Sequence, residues 1–148
     1  MFRKILIFLL LLILWFFSSV FIPFDYGYYL SLNTLIKLPS NIISIIWMII
    51  YVLNTTSIYL LIKDNELNND YYFVLIMYYI SNQLFTLFFS YFHNLILSLI
   101  IIITSSISSI YLYIETKKIN KTSSYYLIPN FIWNNILLIL FIIIIIIN

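Results

Sequence analysis

The sequence predicts an all-α integral membrane protein, a bundle of five transmembrane helices. Three observations carry this. Apolar residues make up 64% of the 148-residue chain and charged residues only 8%, whereas a soluble domain uses roughly a quarter charged residues to keep its surface hydrated. Five apolar runs, at approximately residues 5–22, 42–62, 71–90, 95–113 and 126–147, each come near the roughly 20 residues that a helix needs to cross a bilayer core. Little sequence lies between them, so residues 1–148 read as a single five-helix transmembrane domain.

The first run follows the basic pair Arg3-Lys4 and ends at Pro23. It has the outline of a signal peptide but is long for one and lacks a small-residue cleavage site, so it reads as a retained helix. The aromatics just beyond it, Phe24, Tyr26, Tyr28 and Tyr29, fit an interfacial belt. Gly27, the only glycine, marks a turn. The connection 23–41 is the longest, yet it carries only Asp25 and Lys37 as charges and keeps Leu30, Leu32, Leu35, Ile36 and Leu38. Such a segment is expected to fold back over the bundle or lie in the interface, not to stand in water.

Pro39-Ser40-Asn41 supplies start chemistry for the second helix. Trp47 and Tyr51, four residues apart, share one of its faces. Asn54, Thr55, Thr56 and Ser57 fall in mid-helix, where polar groups face other helices. Residues 63–70 hold three of the five acids and read as a solvated loop, since the spacing of a calcium loop is missing. Only Tyr91-Phe92-His93-Asn94 separate the third and fourth runs, which must form an antiparallel hairpin. Thr104-Ser105-Ser106 and Ser108-Ser109 provide small hydroxyl residues for close helix packing. Residues 114–124 read as a second charged loop, and the fifth run carries Pro129 near its start. With five spans, Arg3, Lys4, Lys63, Lys117, Lys118 and Lys121 share one side of the membrane and only Lys37 lies on the other, which predicts a cytoplasmic or equivalent side for the N-terminus.

Composition excludes much. Without cysteine there is no disulfide, thiolate-bound metal or thiol nucleophile. One histidine rules out a multi-histidine metal site, and a net charge of +2 gives no case for nucleic acid. No acid lies inside a span, so the costly buried carboxylates that mark proton relays and ion paths are absent from the sequence pattern. His93 sits in a short turn with no acid near it in sequence and reads as an interfacial histidine. No motif asks for a cofactor, and none indicates an enzyme. What remains inside the spans is uncharged: Asn54, Asn82, Gln83, Asn134 and Asn135 among aromatics such as Trp47, Tyr51, Phe85 and Trp133. An aromatic pocket for a flat apolar ligand and ordinary bundle packing both produce that set.

Several of these stretches are similar to motifs of the translocator protein or tryptophan-rich sensory protein family (TspO/MBR). The third-span motif Gln-Leu-x-Leu-Asn-x-x-Trp-Ser-x-x-Phe-Phe is matched by Asn82, Phe85 at the Trp position, Thr86 at the Ser and Phe89 at a Phe. The fifth-span opening Pro-Tyr-x-x-Trp is matched by Pro129 and Trp133, and the second-span Trp-x-x-Leu-Tyr by Trp47 and Tyr51. Tyr28-Tyr29 with Leu32 resemble the Trp-Tyr-x-x-Leu that opens the family's long first loop. The chain departs from the pattern at Tyr78, where the family has Gln, at Asn130, where it has Tyr, and near Phe141, where it has Asn. The resemblance implies a five-span bundle, a homodimer, and a pocket under the first loop for porphyrin or haem-type tetrapyrroles, sterols or similar ligands. On this reading Trp47, Tyr51, Asn82, Phe85 and Trp133 line the pocket, aromatic faces stack on the ligand, and Asn82 bonds a polar handle. The partners are then the lipid membrane, a small apolar ligand and a second copy of the chain. The membrane is of mitochondrial or bacterial type, and the sequence does not choose between them. The rival reading is a small structural accessory subunit of an organellar membrane complex.

Overall fold

The structure, a computed structural model, describes residues 2–64 and 67–148, with side chains from residue 5 to 62 and from 67 onward. The side chains of Arg3, Lys4 and Lys63, counted above for orientation, and those of residues 64–66 in the acidic loop 63–70 lie outside the described residues, while Asn69 and Asp70 of that loop begin α5. The elements are α1 (Phe2–Trp15), α2 (Phe17–Phe21), α3 (Tyr26–Ser31), α4 (Ser40–Asp64), α5 (Asn69–Thr86) running on into a π-helical turn (Leu87–Tyr91), α6 (Leu95–Ile119), α7 (Lys121–Tyr125) and α8 (Ile128–Ile147). No strand occurs among the described residues.

The helices are built to meet lipid. On α6, Ser98, Ile102, Ser105, Ser109 and Leu112 are buried, while Ile96, Ile100, Ile103 and Ile107 are exposed. Small hydroxyl side chains face in and bulky isoleucines face out, the reverse of a soluble helix. Four stretches are long and apolar enough to cross a membrane: Ser40–Ile62, Asn69–Tyr91, Leu95–Ile119 and Lys121–Ile147. The chain is therefore an integral, multi-pass membrane protein. α6 lies between α5 and α8, while α4 packs on α1 and α7. Ser105 and Ser106 donate to the Oδ1 atoms of Asn134 and Asn135 at 2.8 and 3.0 Å, tying α6 to α8 as the small-residue pattern implies.

The first run differs from expectation. The structure divides it at Phe16 into α1 and α2. No proline or glycine lies at the break, and the explanation sits on α5. Gln83 Oε1 accepts from Ser18 N at 2.8 Å, Gln83 Nε2 donates to Trp15 O at 3.3 Å, and Tyr79 Oη donates to Leu14 O at 3.0 Å. A break at membrane depth is tolerated only where a neighbour satisfies the freed backbone groups, and α5 does so here.

The loop expected at 114–124 is largely helical. α6 continues to Ile119, with a Lys118–Glu115 ion pair at 2.6 Å one turn apart, and Asn120 caps α7 by accepting from Ser123 N. Gly27 does not open a positive-φ turn; it lies in the first turn of α3, where a Cβ would meet Asp25 Oδ1 at 3.3 Å.

Candidate functional site

Residues 23–41 fold back over one end of the bundle, as their apolar content requires. Tyr29 is the hub: its hydroxyl donates to Ile36 O at 2.9 Å and accepts from Leu38 N at 3.1 Å, closing the segment on itself. Phe24 stacks on Phe89 of the π-helical turn, with centroids 5.3 Å apart and planes 14° apart. A π turn brings an extra residue into the helix and often marks a functional place. Here it lets Phe85 and Phe89 stack at 5.5 Å while Ser90 Oγ accepts from Asp25 N at 3.0 Å.

Asp25 and His93 correct the sequence reading. His93 does have an acid beside it, contributed from 68 residues away: its Nε2 lies 3.0 Å from Asp25 Oδ2. The histidine ring also stacks on Tyr28 at 4.1 Å, and Tyr28 Oη donates to His93 O. These contacts hold His93 at φ 50°, in the left-handed region. The Tyr28 N–H and then the His93 side chain keep the Asp25 carboxyl below its ordinary range. Together the contacts clip the first loop to the α5–α6 turn.

Under the loop lie two adjoining cavities. One, of about 330 Å³, is bordered by Phe16, Ser19, Tyr26, Ser44, Tyr51 and Asn82. The other, of about 50 Å³, is bordered by Tyr29, Ile36, Phe89, Trp133, Leu137 and Phe141. Phe24, Ile43, Trp47 and Phe85 line both and form the shared wall. All five residues singled out in the sequence thus border this pair: Trp47 and Phe85 both cavities, Tyr51 and Asn82 the larger, Trp133 the smaller. Trp47 lies 5.6 Å from Tyr51 and meets Trp133 edge-on at 6.5 Å. Neither lining contains a charged residue.

Two details bear on chemistry. Asn82 is not a bare handle, since its Oδ1 already accepts from Tyr51 Oη at 3.1 Å. The Trp133 indole N–H is buried with no acceptor among the described residues. Among the described residues no group of acids and histidines is placed to hold a metal ion. Sequence reasoning noted Phe24 as an interfacial aromatic and Phe89 among the third-span aromatics without singling either out for the lining, and it missed Phe141. Phe24 follows Pro23 in a loop expected to fold back, and Phe89 is four residues from Phe85, so both left a signal; Phe141, in an isoleucine run, left only its departure from the family pattern.

The family pattern described as TspO/MBR matches residues 5–146, nearly the entire sequence. The chain belongs to the TspO/MBR family. No individual curated protein matches it. For this TspO/MBR protein the match covers α1 and α2 as well as the four long helices, so the broken first segment is part of the family domain.

Proposed function

We propose that the chain is a receptor- or carrier-like, non-enzymatic protein that binds flat apolar ligands, of the tetrapyrrole or sterol kind, in the paired cavities under the first loop. The observation that carries this is the convergence of Trp47, Tyr51, Asn82, Phe85 and Trp133, chosen from sequence alone, on one pair of cavities. On this reading α1 and α2 together make a fifth span, residues 1–148 are one domain, and the protein works as a homodimer. Trp47 and Phe85 divide the space and offer faces for stacking, while the Tyr51–Asn82 pair takes polar handles. The larger cavity sits near the lower end of the roughly 300–1,000 Å³ of small-molecule sites. A tetrapyrrole therefore requires the Phe24–Tyr29 segment to lift, and its carboxylates must point out of the uncharged interior toward the headgroups. A neutral sterol carries no such requirement.

The test is quenching of tryptophan fluorescence by protoporphyrin IX in purified, detergent-solubilised protein, with a sterol as competitor. Saturable quenching relieved by the sterol is expected. Aromatic contacts contribute roughly 0.5–1.5 kcal/mol each, so Trp47→Ala with Trp133→Ala should weaken binding about 5- to 150-fold. Trp15 remains as reporter in that variant, stacked on Tyr51 at 5.9 Å. No saturable quenching by a folded protein would reject the binding role and leave the accessory-subunit reading, to be pursued by co-purification of partners.

A further inference from the structure

The two cavities under the first loop differ in what they offer a hydrogen-bonding ligand. Around the smaller one, Tyr29 and Thr34 both donate their hydroxyls to Ile36 O, and the Trp133 indole has an N–H but no acceptor. The larger one is bordered by Asn82 and Thr86. These lie four residues apart near the end of α5 and share one of its faces.

Asn82 is held in one orientation. The single proton of Tyr78 Oη goes to Asn130 Oδ1, so Asn82 turns Nδ2 to that hydroxyl, at 3.5 Å, and Oδ1 to the Tyr51 hydroxyl, at 3.1 Å. Nδ2 carries two protons and makes only this long contact, so one N–H remains on a side chain 4% exposed. Thr86 is half-buried, and its Oγ1 has no hydrogen-bond partner among the described residues. A donor and an acceptor thus border the same cavity. Side chains at this spacing have Cβ atoms roughly 5–6 Å apart, a span that one hydroxyl bonded on both sides can bridge.

The pair discriminates between polar groups. A hydroxyl uses both residues: its oxygen accepts from Asn82 Nδ2 and its proton goes to Thr86 Oγ1. A carbonyl uses Asn82 alone. A carboxylate meets one N–H and no cation, because neither lining holds a charge, and an unpaired charge there is costly. We infer that Asn82 and Thr86 form a subsite for the hydroxyl of an uncharged ligand, with Thr86 setting the preference for hydroxyl over hydrogen. The inference rests on the ligand-binding reading above. It also orients the ligand, with the hydroxyl beside α5 and the apolar end toward Phe89, Leu137 and Phe141 of the smaller cavity.

The test is competition for tritiated cholesterol bound to the purified chain in detergent. The competitors are unlabelled cholesterol and cholestene, the same skeleton without its hydroxyl. Cholesterol should compete about 5- to 100-fold better, from two hydrogen bonds. Thr86→Val keeps the shape and removes the hydroxyl, so the gap should narrow about 2- to 10-fold; Thr86→Ser should keep it. Partition into detergent is the same for every variant, so the change in the gap reads the subsite alone. Equal competition by the two sterols overturns the inference and leaves the binding reading standing. A gap unchanged in Thr86→Val overturns it too. Absence of bound cholesterol also overturns it, while protoporphyrin quenching decides the binding reading separately. Thr86 Oγ1 makes no bond in the structure, so Thr86→Val should unfold at the parent's Tm; should it fail to fold, the parent comparison decides.

Discussion

Replacing Gln83 by methionine keeps the length and bulk of the side chain and removes both bonds that it makes across the α1–α2 break. Ser18 N, on a residue 5% exposed, loses its acceptor, and Trp15 O loses its donor. A buried group left unpaired costs roughly 1–3 kcal/mol, while hydrogen bonds between helices in membranes average nearer 0.6 kcal/mol by double-mutant cycles. The 3.3 Å bond to Trp15 belongs at the weak end and the 2.8 Å bond to Ser18 at the strong end. The sum is about 2 kcal/mol, which at roughly 2–4 °C per kcal/mol for a domain of this size lowers the Tm by about 4–8 °C. Thermal unfolding in detergent, followed by tryptophan emission, measures it, and Trp15 stands at the break itself. A Tm within about 1 °C of the parent would refute the idea that α5 holds the break.

Tyr78→Gln and Asn130→Tyr should each lower stability by about 1–3 kcal/mol, because each destroys a buried hydroxyl–amide bond; together they should recover much of it, and a double-mutant cycle in thermal unfolding with no coupling would reject the pairing. Ser105→Ala leaves Asn134 Oδ1 without its α6 donor and should cost about 1 kcal/mol or less, read as a small fall in Tm. The Asp25 clip has a defined pH window. Its carboxyl titrates below the ordinary value of 3.8, so its contribution is present above that value and is lost as pH falls through the lower folded one. The protection factor of the Tyr28 amide, which donates to Asp25 Oδ1 at 2.8 Å, should hold from pH 7 down to about 4 and fall below; a fall near pH 6 would contradict it.

How much of this was legible follows from what each residue type signals locally. The apolar runs fixed four long helices because length and hydropathy are properties of one segment. The cavity residues were found because Trp47, Tyr51, Phe85 and Trp133 sit at helical spacing within family-like stretches. The break at Phe16 was not legible, since nothing in Phe16-Phe17-Ser18 forbids a helix; its cause, Gln83, lies in another segment. The Asp25–His93 pair was hidden for the same reason, as proximity in space left no mark on spacing. The departures at positions 78 and 130 looked like unrelated losses, a Gln replaced by Tyr78 and a Tyr replaced by Asn130. In this chain the two departures meet, the Tyr78 hydroxyl of α5 donating to the Asn130 amide of α8.

The break between α1 and α2 also bears on the order in which the protein is made. Ser18 N, Trp15 O and Leu14 O find their partners only on α5, more than sixty residues later in the chain. While α5 is still unsynthesised, lipid offers those groups nothing, and the first segment is best satisfied as an unbroken helix. On this reasoning it is expected to bend only once Tyr79 and Gln83 are in place. The cavity edge formed by Phe16 and Ser19 is thus completed late in biogenesis, and a nascent chain cut before residue 83 has the first segment but not yet the site.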